Sequence, residues 1–178
     1  NYKELNSHLD ILRDKLIEYL KSESEKDCPV IDKINEIIYR PIKEREISVS
    51  FKKMFDSSIQ GDVSPNATMF LNFNYTNTPE KYVSKGSDTI VNYIHGNLDN
   101  PESVIFGYGD ELDSSFVKLQ NMNDNECLRH IKSIRYLESD NYRKMLDFIE
   151  ADTFQVIIIG HSCGNSDRTL LNTLFEHR

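Results

Sequence analysis

Leu5, Leu9, Leu12, Leu16 and Leu20 follow one another at intervals of three and four, with charged residues between them. That spacing predicts an amphipathic helix over residues 3–20 with its charge on the far face. The polar run 21–27 and Pro29 close it. Ile31, Ile34, Ile37 and Ile38 predict a second, short helix that stops before Pro41, because a residue preceding proline is driven out of the helical region. Residues 47–67 show no period, and Gly61 and Pro65 break them into irregular chain.

From Thr68 the period becomes two. Met69, Leu71, Phe73 and Tyr75 alternate with Phe70, Asn72 and Asn74, which predicts a strand with both asparagines on one side. Residues 89–94 and 103–106 read as further short strands, rich in β-branched and aromatic side chains. Gly96 and Gly107 follow them, at points where the backbone turns sharply or approaches a ligand closely. Residues 112–151 read as polar and helical, with Leu112, Phe116 and Leu119, then Tyr142, Met145, Leu146 and Ile149, at helical spacing. The run 154–159 is almost continuously apolar and reads as the most buried strand of all. Leu170, Leu171, Leu174 and Phe175 give a final helix its apolar face. Strands separated by helices predict an α/β fold, a parallel sheet flanked by helices. Residues 1–65 would be a helical lobe or cover, and 66–178 the α/β core.

Composition narrows the function classes. The chain of 178 residues is sized for one core. Its 21 Lys and Arg against 29 Asp and Glu give a net charge of −8, without the basic footprint that nucleic-acid partners demand. No apolar run approaches the roughly 20 residues that span a bilayer, so no membrane partner is expected. Cys28, Cys127 and Cys163 are scattered, odd in number and form no CxxC pair. They speak against a structural zinc site and for a reducing, cytoplasmic setting.

Chemistry concentrates at the predicted strand ends, where ligands bind in open α/β sheets. These ends carry Asn74, Tyr75 and Thr76, then His95 and Gly96, then Gly160, His161 and Ser162. An amide, an imidazole and a hydroxyl would face one pocket. A buried amide must be hydrogen-bonded, so Asn72 and Asn74 either brace neighbouring loops or face a polar ligand. His95 is equally a structural or a ligand-facing histidine. Gly160-His161-Ser162-Cys163-Gly164 matches the nucleophile-elbow pattern of serine hydrolases, with Ser162 as nucleophile. One aspartate, Asp167, and one histidine, His177, follow it, both on one short helix that does not turn back to form a triad. The same stretch also reads as an anion or ribose cradle at a helix start, with Ser166 or Asp167 as its cap. For Asp167, capping and ligand contact stand level. His8, His130 and His177 have no constellation around them and are expected at the surface.

Several of these segments resemble a known family in order and spacing. Residues 70–76 with Asn77-Thr78-Pro79-Glu80, then Val91-Asn92-Tyr93-Ile94-His95-Gly96, are similar to AbiH-type bacteriophage abortive-infection proteins. So are Val104-Ile105-Phe106-Gly107 and Ile159-Gly160-His161-Ser162 with Asp167. The layout is more distantly similar to the Sir2-like, Rossmann-like fold, whose members bind NAD and break its nicotinamide–ribose bond. The resemblance implies a phage-defence protein that binds a nucleotide, NAD above all, and answers a phage-derived trigger, with a homo-oligomer left open. By position, Asn74 would hold the nicotinamide ribose or the attacking water, and His95 would be the general base. Tyr75, Thr76, Gly96, Gly160, His161, Ser162 and Asp167 would contact the cofactor. Two rivals stay open: a non-catalytic nucleotide-sensing or partner-binding module, and a serine hydrolase using Ser162. The chain departs from the Sir2-like pattern in having Thr76 where a carboxylate is common. The glycine-rich opening turn of the family has no counterpart, so a portion of a longer protein, with an incomplete nucleotide site, is expected.

Overall fold

The period-two segments do form a ladder. Thr68–Asn72 (β1) and Thr89–Tyr93 (β2) run parallel, with Thr68 opposite Thr89 and Asn72 opposite Tyr93. The computed structural model describes residues 1–26, 28–49, 52, 61–109, 115–122 and 124–177; the predicted helical position Leu112 lies outside them. A parallel pair requires a crossover of a dozen residues or more. Residues 73–88 supply it with a 3₁₀ turn, Thr78–Tyr82, in place of a helix. Six α-helices are present among the described residues: α1 (Tyr2–Ser24), α2 (Asp32–Tyr39), α3 (Phe116–Gln120), α4 (Lys132–Tyr136), α5 (Asp140–Ala151) and α6 (Arg168–Phe175). None is long and apolar enough to cross a membrane.

The fold is thus a mixture of helices with a two-stranded parallel sheet, and two predicted strands do not form. Residues 103–106 leave a 3₁₀ turn, Pro101–Ser103, as irregular chain, tied back when Ile105 N–H donates to the His95 carbonyl at 2.8 Å. Residues 154–159 join no ladder, and Ile157, Ile158 and Ile159 are 47%, 52% and 49% exposed. An apolar run supplies side chains to bury, but a strand also needs a neighbour's amides and carbonyls. None faces this run among the described residues.

The core explains which way α1 turns. Ile17 and Leu20 pack with Leu98, Val104 and Phe106 in the loop after β2. Asn6, buried, donates from Nδ2 to the Glu126 carbonyl at 2.9 Å and to its carboxylate at 2.7 Å. The buried stripe therefore runs through Asn6 and Ile17, and the leucine stripe is offset from it, leaving Leu5 and Leu12 exposed. The main core joins Ile94, just past β2, to Ile105, Tyr136, Met145 and Leu170, with Leu71 and Phe73 packed against it. A reciprocal amide clamp fixes α5 to β2. Asn92 Nδ2 donates to the Asn141 carbonyl at 2.8 Å, and Asn141 Nδ2 donates to the Tyr93 carbonyl at 2.7 Å.

Candidate functional site around His95 and Asp167

The end of β1 is shaped by its last residue. The buried Asn72 donates from Nδ2 to the Thr76 carbonyl at 2.9 Å, and its Oδ1 accepts the Asn74 N–H at 3.0 Å. One side chain thereby closes the turn after the strand. The two asparagines part company: Asn72 braces the loop, whereas Asn74 is exposed. The expectation that both lie on one side fails because the strand stops at Asn72. Thr76 joins the same turn through a 3.1 Å hydroxyl contact with Thr78.

Beyond β2 the chain enters the core at Ile94 and His95, then reverses at Gly96 with φ +79°. A Cβ on Gly96 would lie 2.1 Å from the Ser103 carbonyl oxygen, so the open face of this glycine is filled by protein backbone. His95 is 4% exposed. Its Nδ1 lies 3.1 Å from the Phe73 carbonyl, and its Nε2 lies 2.9 Å from the Tyr136 hydroxyl and 3.1 Å from Asp167 Oδ1. The Phe73 carbonyl can only accept, so Nδ1 is the donor there, and Nε2 faces both the Tyr136 hydroxyl and the Asp167 carboxylate.

Asp167 gathers the rest. Lys132 Nζ donates to Oδ1 at 3.1 Å, the Tyr136 hydroxyl donates to Oδ1 at 3.2 Å, and Ser166 Oγ donates to Oδ2 at 3.1 Å. Burial alone would raise the Asp167 carboxyl, but the His95 hydrogen bond and the Lys132 charge outweigh it and hold the group well below the usual carboxylate range. The residue stands at the N-cap position of α6 yet makes no capping bond. Its carboxylate is turned inward, away from the helix start, which settles the capping alternative. Tyr75 closes this side, its hydroxyl donating to the Ile105 carbonyl at 2.9 Å. Burial, and secondarily the Asp167 charge, push the phenol up to about 12.

The third segment reaches the cluster through His161, whose ring centroid is 4.0 Å from that of Phe73. His161 Nε2 lies 3.8 Å from Asp167 Oδ2, and its Nδ1 accepts the Cys163 N–H at 3.0 Å. Gly160 turns at φ +68° with open space beyond it, and Ser162 is exposed. Among the described residues, Ser162 has no hydrogen bond to a histidine, the first requirement of a nucleophile–base pair. The structure therefore brings together Tyr75, His95, His161 and Asp167, and leaves Asn74 and Ser162 facing solvent. Lys132 and Tyr136 escaped the sequence reading. Their only signal was a spacing of four in a short helix, which sets both on one face. His130, expected at the surface, is 9% exposed, held between the Phe106 carbonyl and α1.

A mixed helix-and-sheet chain with a buried histidine–aspartate–lysine cluster, drawn from three remote segments, defines the class structurally. The family model described as bacteriophage abortive infection AbiH matches residues 3–178, nearly the whole chain, and the protein belongs to that family. Membership links it to phage abortive infection. No curated protein and no solved structure matches the chain.

Proposed function

We propose that, in abortive infection, this chain binds a nucleotide, with NAD the first ligand to test, on the surface over the His95–Asp167 cluster. The observation that supports this reading is the convergence of residues 72–76, 94–96 and 160–167 on the His95–Asp167 pair. Exposed Asn74 and Ser162 and the open backbone at Gly160 supply polar contacts at the rim. The aromatic pair Phe73 and His161 supplies a stacking face. In this reading His95 and Asp167 are positioning residues: they hold the three segments together, and the ligand stays intact.

Hydrolysis of NAD is the second reading, favoured by the imidazole–carboxylate pair itself. The C1′–N bond would break with its electron pair passing to the nicotinamide nitrogen. Water oxygen would bond to C1′ with Asn74 orienting it, and its proton would pass to His95. With Nδ1–H held by the Phe73 carbonyl, that step requires an unprotonated Nε2 to turn from Asp167 and Tyr136 toward the water and accept the proton.

Titration calorimetry with NAD and with ADP-ribose, paired with chromatography for free nicotinamide, separates the readings. Binding without nicotinamide release is expected, weakened about tenfold in Asn74→Ala or His161→Ala, which remove rim groups without unfolding the core. Release that disappears in Asn74→Ala would move the assignment to hydrolysis. Absence of binding by either compound rejects the nucleotide site.

A further inference from the structure

Away from that cluster, three elements converge on a second cleft. α1 contributes Asp10 and Arg13, the turn after Asn125–Cys127 contributes Arg129 and His130, and α4 contributes Arg135. Val104, 1% exposed, and Phe106 form its apolar floor. We propose that this cleft is an anion site that takes a phosphate group. The inference is independent of the nucleotide reading, because it shares no residue with that site.

Charge comes first. Three guanidinium groups and an imidazole face the cleft against the single carboxylate of Asp10, in a protein whose net charge is −8. Arg129 holds Asp10 at 2.8 Å, while the nearest approach of Arg13 to it is 4.0 Å. The other carboxylates near these arginines lie outward. Asp14, 3.0 Å from Arg13, has a side chain 61% exposed, and Glu138, 2.5 Å from Arg135, one 54% exposed. Exposed pairs of this kind contribute little and exchange readily with solvent. Glu126 stands 4.0 Å from Arg129 and is bound by Asn6. The planar fork of arginine matches phosphate oxygens two at a time, and an apolar floor strengthens each contact by lowering the local dielectric.

The second observation is His130. Its side chain is nine-tenths buried, and its Nε2 has no hydrogen-bond partner among the described residues. The Asp10 carboxylate is 3.7 Å away, beyond hydrogen-bonding reach. A buried polar atom left unpaired is costly and signals a missing partner. The ring is held in this pose from behind. Nδ1 lies 3.3 Å from the Phe106 carbonyl, and the Tyr108 N–H donates to the His130 carbonyl at 3.1 Å. Gly107 permits that approach, since a Cβ there would sit 2.0 Å from the same oxygen. With Nδ1–H directed at a carbonyl, Nε2 is left without a partner on the side of Asp10, behind the wall that His130 gives the cleft.

Size sets the ligand. The cleft measures about 60 Å³, far below the roughly 300–1,000 Å³ of pockets that enclose whole small molecules. It takes one phosphate group, free or at the end of a larger molecule that stays outside.

Titration calorimetry with inorganic phosphate and, in a separate arm, AMP tests the assignment on the whole chain. Saturable phosphate binding is expected, about tenfold weaker in Arg13→Gln and in Arg135→Gln. Asp10→Asn, which removes the competing carboxylate, should tighten it. Tighter binding of AMP than of phosphate, weakened by Arg13→Gln and Arg135→Gln as phosphate binding is, assigns the site to a phosphomonoester; AMP binding that both variants leave unchanged belongs to the His95–Asp167 surface, and tighter binding of phosphate assigns the cleft to the free ion. No saturable binding of either compound overturns the proposal. So does an affinity that both arginine variants leave unchanged while circular dichroism shows them folded.

Discussion

Gly96 has the most constrained backbone near the site. It combines a left-handed φ of +79° with a carbonyl oxygen 2.1 Å from where a Cβ would stand. Gly96→Ala is therefore expected to cost at least about 2 kcal/mol, from backbone strain and the displacement of residue 103. Denaturant unfolding of the variant checks it. Gly160, with a similar φ but open space around it, should lose only the strain share, about 1 kcal/mol. At this scale the sequence was readable where a residue's chemistry is stringent. Glycines marked the turns, and a histidine after a strand marked the buried polar centre. Lys132 and Tyr136 were not readable, because a lysine and a tyrosine four apart are commonplace on helices. Only the tertiary arrangement aims them at Asp167.

Elements were legible from their period, and misread where a run was apolar without one. α1, α2, α5 and α6 and both strands stand close to the positions their spacing predicts. The run 154–159 had β-branched residues but no alternation to say which face, or whether either, is covered. The structure leaves it exposed. Ile158→Lys should accordingly change stability by no more than about 0.5 kcal/mol. Ile94→Ala, at a fully buried position in the main core, should cost about 2–5 kcal/mol. Thermal or denaturant melts of the pair separate the two environments; a large loss from Ile158→Lys would mean that the run is buried after all. The same distinction accounts for His130. Nothing adjacent in sequence announces its burial, which comes from the approach of α1 to the loop at Phe106.

For the molecule as a whole, the His95–Asp167 cluster links the β1 turn, the β2 exit, α4 and the start of α6. Asp167 is held below its ordinary range in the folded protein. An unfolded aspartate titrates near about 4, so the unfolded chain takes up this proton first as pH falls. The stabilisation is thus fully present above about pH 4 and is lost progressively below it. Acid titration of the melting temperature should show this loss in wild type and a flatter profile in Asp167→Asn. The most direct test is a double-mutant cycle in denaturant unfolding, combining His95→Asn with Asp167→Asn. A coupling of at least about 1 kcal/mol is predicted, since the two groups share one buried network. Losses that add to within about 0.3 kcal/mol would contradict the convergence on which the site depends.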